Sequence, residues 1–213
     1  MQALLDPILI LVLLLNLFAL GNSRITSVIR IVGFQGAILG LMPLLVHDHL
    51  GAVAFLMAAA TVGLKGIVIP WMLLRAMREA QIRREMEPMI GFVPSMVLAA
   101  IGTGLSWAFA RQLPLAPDDL GQLLVPASLS TVLSGFILLT TRFKAITQVV
   151  GYLVLENGIF IFGMLLVEAM PMLVELGVLL DLFVGVFVIS IIVNHINREF
   201  SSLDTRKLSS IKE

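Results

Sequence analysis

Cysteine is absent from the 213-residue sequence, which excludes disulfides, thiolate-held zinc and iron–sulfur clusters ligated by this chain. Charge is scarce too. Asp, Glu, Lys and Arg make up 13% of the residues, against about 25% in a soluble globular domain. Only three histidines occur, His47, His49 and His195, none in mid-span with a partner, so no internal haem is expected. What fills the chain is apolar: 59% of it is hydrophobic. Too few polar side chains remain to cover a water-facing surface, and the composition places the chain in a bilayer. The formal net charge is zero, which supplies no pull toward nucleic acid, and none is expected as a partner. There is no Walker loop, nucleophile elbow or zinc motif. No catalytic centre, cofactor or metal is therefore expected within this chain. The His47-Asp48-His49 stretch reads as a solvated loop.

Helical spans of about 20 residues fit the apolar runs, and the fold expected is all-α, polytopic, with about seven transmembrane helices. They fall roughly at 4–21, 26–46, 51–74, 89–110, 122–140, 145–167 and 172–195. The division expected is a four-helix membrane part over about 1–110, a three-helix part over about 122–195 and a short cytoplasmic tail over about 196–213. Such a chain has no room for a sizeable catalytic domain outside the membrane.

Basic residues orient the spans. Arg24 and Arg30 flank the first break, and Arg75, Arg78, Arg83 and Arg84 fill the third. Arg142 and Lys144 fill the fifth, and Arg198, Arg206, Lys207 and Lys212 follow the last span. The alternate breaks carry only Arg111 beside Asp48, Asp118, Asp119 and Glu168. By the positive-inside rule the N-terminus lies outside and the C-terminus in the cytoplasm, which an odd number of spans also requires. The first apolar run lacks a basic n-region and carries Asp6, the pattern of a retained first helix rather than a cleaved signal. Arg75 to Glu87 alternates in sign, with Glu79–Arg83 and Arg83–Glu87 at i,i+4. It reads as a cytoplasmic extension of the third helix, a solvated face at the lipid headgroups or a dock for a peripheral subunit.

Three charges break the pattern by lying deep within spans: Lys65, Glu156 and Asp181. A charge at the centre of a membrane helix costs about 2.5–3.5 kcal/mol on insertion scales, so these should face one another, water or a partner subunit. Gly177, Asp181 and Gly185 recur at i,i+4 and set the acid between small residues that admit a neighbouring helix. Tyr152 lies one turn before Glu156, within reach to donate its hydroxyl. Asn157 is adjacent, and Gly151 and Gly158 permit close packing. Pro70 cannot donate to the carbonyl of Gly66, so the third helix should bend beside Lys65. Titratable groups on neighbouring helices, bridged by water, make a proton relay. The bland alternative is that the three charges only hold helices together. Asn16, Gln35, Gln148 and Asn194 read as interhelical hydrogen-bonding groups.

The stretch Gly151-Tyr-Leu-Val-Leu-Glu156-Asn157-Gly158-Ile-Phe160 resembles the signature span of the E component of hydrogenase-4, from membrane complexes of the formate hydrogenlyase type. Chain length, span count and the Arg-rich segment after the third span match as well. From about residue 122 the chain is also similar to the small K subunit of respiratory complex I. There Asp181 with Gly185 matches the second membrane acid and the glycine after it, whereas Glu156 falls one turn later than the first acid. The resemblance implies a subunit without redox cofactors in a prokaryotic cytoplasmic membrane. Its implied neighbours are antiporter-like proton-pumping subunits and the hydrogenase-linked membrane anchor. It implies proton-relay roles for Glu156 and Asp181 and carries no role over to Lys65, which the residues alone nominate as an electrostatic modulator. A purely structural linker subunit and a free-standing seven-helix transporter are the other readings. No internal repeat favours the transporter.

Overall fold

The computed structural model describes residues 4–46, 52–79, 86, 88–113, 123–166, 177, 183, 185 and 190. Every regular element among them is helical, and Pro88 and Arg142 form an isolated antiparallel bridge. Helix α1 spans Leu5–Gly21 and α2 Ile25–Val46. Helix α3, Ala52–Thr61, runs through a π-helical stretch, Val62–Val68, into α4, Ile69–Glu79. Helices α5 (Phe92–Ala110), α6 (Leu124–Thr141) and α7 (Ala145–Gly163) complete the bundle.

Among the described residues five helices are long and apolar enough to cross a membrane: those over Ile25–Leu45, Ala58–Arg78, Phe92–Ala110, Leu124–Thr141 and Ala145–Gly163. Helix α1 is apolar but has 17 residues, fewer than the about 20 of a standard span. The expected span over 172–195 lies outside the described residues, apart from helical Gly177, Phe183, Gly185 and Ser190. Outside them too are His47, Asp48, His49, the Glu79–Arg83 and Arg83–Glu87 pairings, and the tail. The helix expected through Arg75 to Glu87 is described as far as Glu79. Met86 is already non-helical, and its backbone N–H donates to the Ser23 carbonyl.

Local chemistry sets the turns. Asp6 sits in the first turn of α1, where a carboxylate meets the positive end of the helix dipole. The helix ends at Gly21, and Asn22 turns extended, its Oδ1 accepting the Arg24 N–H at 2.8 Å. Between α6 and α7 the chain reverses over Arg142 to Lys144, both of these residues extended. Arg142 is wholly buried there. Its guanidinium donates to the carbonyls of Leu20 (3.1 Å) and Ile90 (3.3 Å) and lies over the Phe92 ring. One side chain thus ties the α6–α7 turn to the end of α1 and the approach to α5. Burial lowers the pKa of this guanidinium from its ordinary value.

Buried apolar residues form two clusters, one at each end of the bundle. The Arg142 end holds Leu20, Ile25, Ile29, Leu73, Val150 and Val154, among others. The far end holds Leu5, Leu9, Leu39, Met42, Phe160 and Ile161. Outward-facing side chains are large and apolar as well: Phe18, Phe34, Leu56, Val93 and Leu105 are exposed, the reverse of a water-soluble surface. Trp71 and Trp107 are exposed and stack against Arg75 and Arg111.

Glycine brings α6 and α7 into backbone contact. A Cβ on Gly135 would fall 2.6 Å from the Leu155 Cα, one on Gly151 2.5 Å from the Leu139 nitrogen, and one on Gly158 2.6 Å from the Val132 nitrogen. Those neighbours are main chain, so a side chain can enter only if the helices part. Replacing Gly151 by Ala should therefore cost about 1–3 kcal/mol, the usual range for overpacking. Gly104→Ala, on α5 with nothing within 4 Å of a new Cβ, should be neutral or slightly stabilising. Thermal midpoints of the two variants in the same detergent would separate them.

Candidate functional site

Between the two apolar clusters each of five elements contributes a polar side chain. Asn16 of α1, Gln35 of α2, Lys65 of the π stretch, Thr131 of α6, and Glu156 with Asn157 of α7 are all buried. Each falls in its helix between residues of the Arg142-end cluster and residues toward the far end. They form one layer at mid-bundle.

Lys65 and Glu156 meet in that layer, Nζ to Oε1 at 3.0 Å, with the two residues 6% and 2% exposed. So complete a burial means that each charge depends on its partner, because bulk solvent does not surround either. The ammonium also lies over the ring of Phe160, 5.4 Å from its centroid. Glu156 and Phe160 are four residues apart on α7 and so share a face; together they receive the lysine.

The backbone makes room for this. Instead of the expected simple bend, the third span widens into a π-helical stretch. Within it the Ile69 N–H donates to the Leu64 carbonyl, a five-residue step. Pro70 contributes no N–H to the turns that follow Lys65, which favours the departure from α-helical pairing. The widened stretch docks on a glycine face of α2. A Cβ on Gly36 would lie 2.9 Å from the Lys65 Cβ, one on Gly33 2.5 Å from Pro70 Cγ, and one on Gly40 2.9 Å from a Val62 methyl. The Gly33-x-x-Gly36 pair is what lets the lysine stem pass α2.

Of the expected supporting residues, Gly185 meets the site. A Cβ there would lie 3.7 and 3.8 Å from the two Glu156 carboxylate oxygens and 3.6 Å from Ile69. Gly177 does not: it is exposed, with nothing within 4 Å of a new Cβ, so no helix among the described residues uses its small size. Asp181, Glu168, Glu175 and Asn194 lie outside the described residues. Tyr152 is half-buried and packs against the Arg142-end cluster. Gln148 donates to the Arg142 carbonyl at the turn. No group of three metal-binding side chains occurs among the described residues.

Asn157 continues the layer away from the ion pair. Its Nδ2 donates to Gln35 Oε1 (3.3 Å), Gln35 Nε2 to Asn16 Oδ1 (2.9 Å), and Asn16 Nδ2 to Thr131 Oγ1 (2.8 Å). The Thr131 hydroxyl then donates to the Ala127 carbonyl at 2.7 Å. Asn16 and Gln35 were legible as interhelical hydrogen-bonding groups; Thr131 was not singled out. Its signal was the buried hydroxyl set Ser128, Ser130, Thr131 and Ser134 on one short stretch of α6.

The chain is 34% identical over 192 residues to the uncharacterized protein Rv0085 of Mycobacterium tuberculosis, an alignment covering 88% of this chain and 86% of that protein. It belongs to the Rv0085 family. No family model matches the chain, and no solved structure matches it. The Rv0085 likeness extends over most of the chain, so it takes in helices that supply both members of the ion pair.

Coupling between the two charges can be measured directly. Lys65→Met or Glu156→Gln alone leaves one buried charge without its counter-ion, a loss of about 3–5 kcal/mol for such pairs. The double variant should recover much of that loss. Unfolding midpoints of the two singles and the double decide it. A double variant as unstable as the sum of the singles would show that the two groups are energetically independent.

Proposed function

We propose that the chain is a proton-relay subunit of a prokaryotic membrane complex of the membrane-bound hydrogenase type, related to complex I, in which Glu156, Lys65 and Asp181 handle the proton. The observation that carries this reading is the Lys65–Glu156 contact of 3.0 Å in the middle of an apolar bundle. Ionisable residues inside membrane spans are expensive, and they mark ion and proton pathways. A lysine against a carboxylate can exchange a proton over one short contact, and Lys65 biases the charge state of Glu156. The likeness of the Gly151–Phe160 stretch to the E component of hydrogenase-4 supports the complex, with antiporter-like subunits and the hydrogenase-linked anchor as neighbours. Gly185 lies against Glu156 and four residues after Asp181. That spacing in the sequence supports including Asp181 in the relay. Redox chemistry is assigned to other subunits.

In the proposed topology the Arg142 end is cytoplasmic and the N-terminus is outside. The absence of cysteine gives a clean test. In Ser23→Cys and Gln112→Cys, both at exposed positions, a membrane-impermeant maleimide should label only Gln112→Cys in intact cells. It should reach Ser23→Cys after permeabilisation. The reverse pattern would invert the topology.

For the relay itself, Glu156→Gln in a complex that still assembles should lower proton translocation or coupled hydrogen evolution at least ten-fold. Unchanged pumping and turnover would overturn it. The second reading, a structural linker, draws on the continuous amide chain from Asn157 to Ala127. It expects Glu156→Gln to weaken co-purification with the other subunits while leaving turnover per assembled complex intact.

A further inference from the structure

A small cavity lies beside the ion pair, between α2, α4 and α7. Its volume is about 10 Å³ for the centre of a water-sized sphere, room for one water molecule. Lys65 and Asn157 line one part of it, and Pro70 replaces a backbone N–H with a ring in its wall. The remainder of the lining includes Ile29, Leu73 and Val150. These three sit in the Arg142-end cluster: Ile29 in the first turns of α2, Leu73 in the second half of α4, Val150 in the first turns of α7. The cavity therefore extends from the pair toward the Arg142 end. On the far side, the Lys65 ammonium rests on Phe160, which packs with Leu5, Leu9, Leu39 and Ile161. The amide chain fills the layer laterally between α7 and α6.

We infer that the Lys65–Glu156 pair is hydrated from the Arg142 end. A water occupies the cavity lined by Lys65, Asn157, Ile29, Leu73 and Val150 and reaches it from that end, while on the other side the ammonium rests on Phe160. The bound water takes its hydrogen bonds from the polar wall of Lys65 and Asn157, as a buried water requires. The inference deepens the proton-relay reading by naming the side from which the relay is loaded; it rests on that reading for its biological sense but not for its test.

The test is hydroxyl-radical labelling of the intact chain in nanodiscs by X-ray radiolysis, read by mass spectrometry. Radicals form where water resides, so buried side chains beside internal water are oxidised and dry ones are not. Leu73 and Ile29, both essentially unexposed, together with Pro70, should oxidise at least five-fold faster than Leu9 and Leu39, which are equally buried in the far cluster. Rates at Leu73, Ile29 and Pro70 no higher than at Leu9 would overturn the inference. In Leu73→Phe, which fills this part of the cavity, oxidation of Pro70 should fall to the Leu9 level. Undiminished labelling of Pro70 in that variant would place the water entry elsewhere and equally overturn it. Proton transport does not enter this readout. A Glu156→Gln complex with normal translocation would sink the relay and leave the labelling pattern standing, whereas a dry Leu73 would sink the water route and leave the relay.

Discussion

Two opposite charges in the middle of an apolar bundle must find each other, and much of this structure follows from how they do. Lys65 and Glu156 lie on helices from different halves of the sequence, so their contact at 3.0 Å fixes the π stretch against α7. It also fixes the rotation of both helices about their axes. The lysine stem needs Gly36 on α2, and the carboxylate is approached by Gly185 of the last stretch. Phe160, one turn beyond Glu156, supplies a ring to the same ammonium. A substitution at any of these positions acts on the pair before it acts on anything else.

Around that contact the bundle is layered: apolar, polar, apolar. Lipid is as apolar as leucine, so burying leucine does not drive helices together within a membrane. Close packing and interhelical hydrogen bonds have to hold them, and both are present in quantity. Gly135, Gly151 and Gly158 bring two backbones into contact, and the Asn157–Gln35–Asn16–Thr131 chain links four helices. At the Arg142 end a buried guanidinium does the corresponding work for turns, satisfying carbonyls where α1 stops and where α5 begins.

The sequence disclosed the helices well because apolar run length is a strong signal; the helices at Phe92–Ala110 and Leu124–Thr141 start and stop within a few residues of the runs that announced them. It also disclosed Lys65 and Glu156, since charge in mid-span is conspicuous. Their meeting was not legible, because periodicity gives the face a residue lies on and not the helix it faces. The π step was legible only as a disturbance near Pro70, whose missing N–H forbids one pattern without naming its replacement. Gly177, at helical spacing, is approached by no helix among the described residues, because spacing permits close approach without bringing a second helix to it. Arg142 looked like one more cytoplasmic cation, and its burial follows from tertiary contacts with Leu20 and Ile90, far from it in sequence.

The direction of the amide chain has a consequence of its own. Each amide nitrogen in it donates to the next oxygen along, and the last donor, the Thr131 hydroxyl, ends on the main-chain carbonyl of Ala127. Carboxamides do not gain or lose a proton near neutral pH, so this row polarises but does not conduct. In the proposed relay this row insulates: it closes Glu156 off toward α1 and α6 and leaves Lys65 as the proton partner in contact with it.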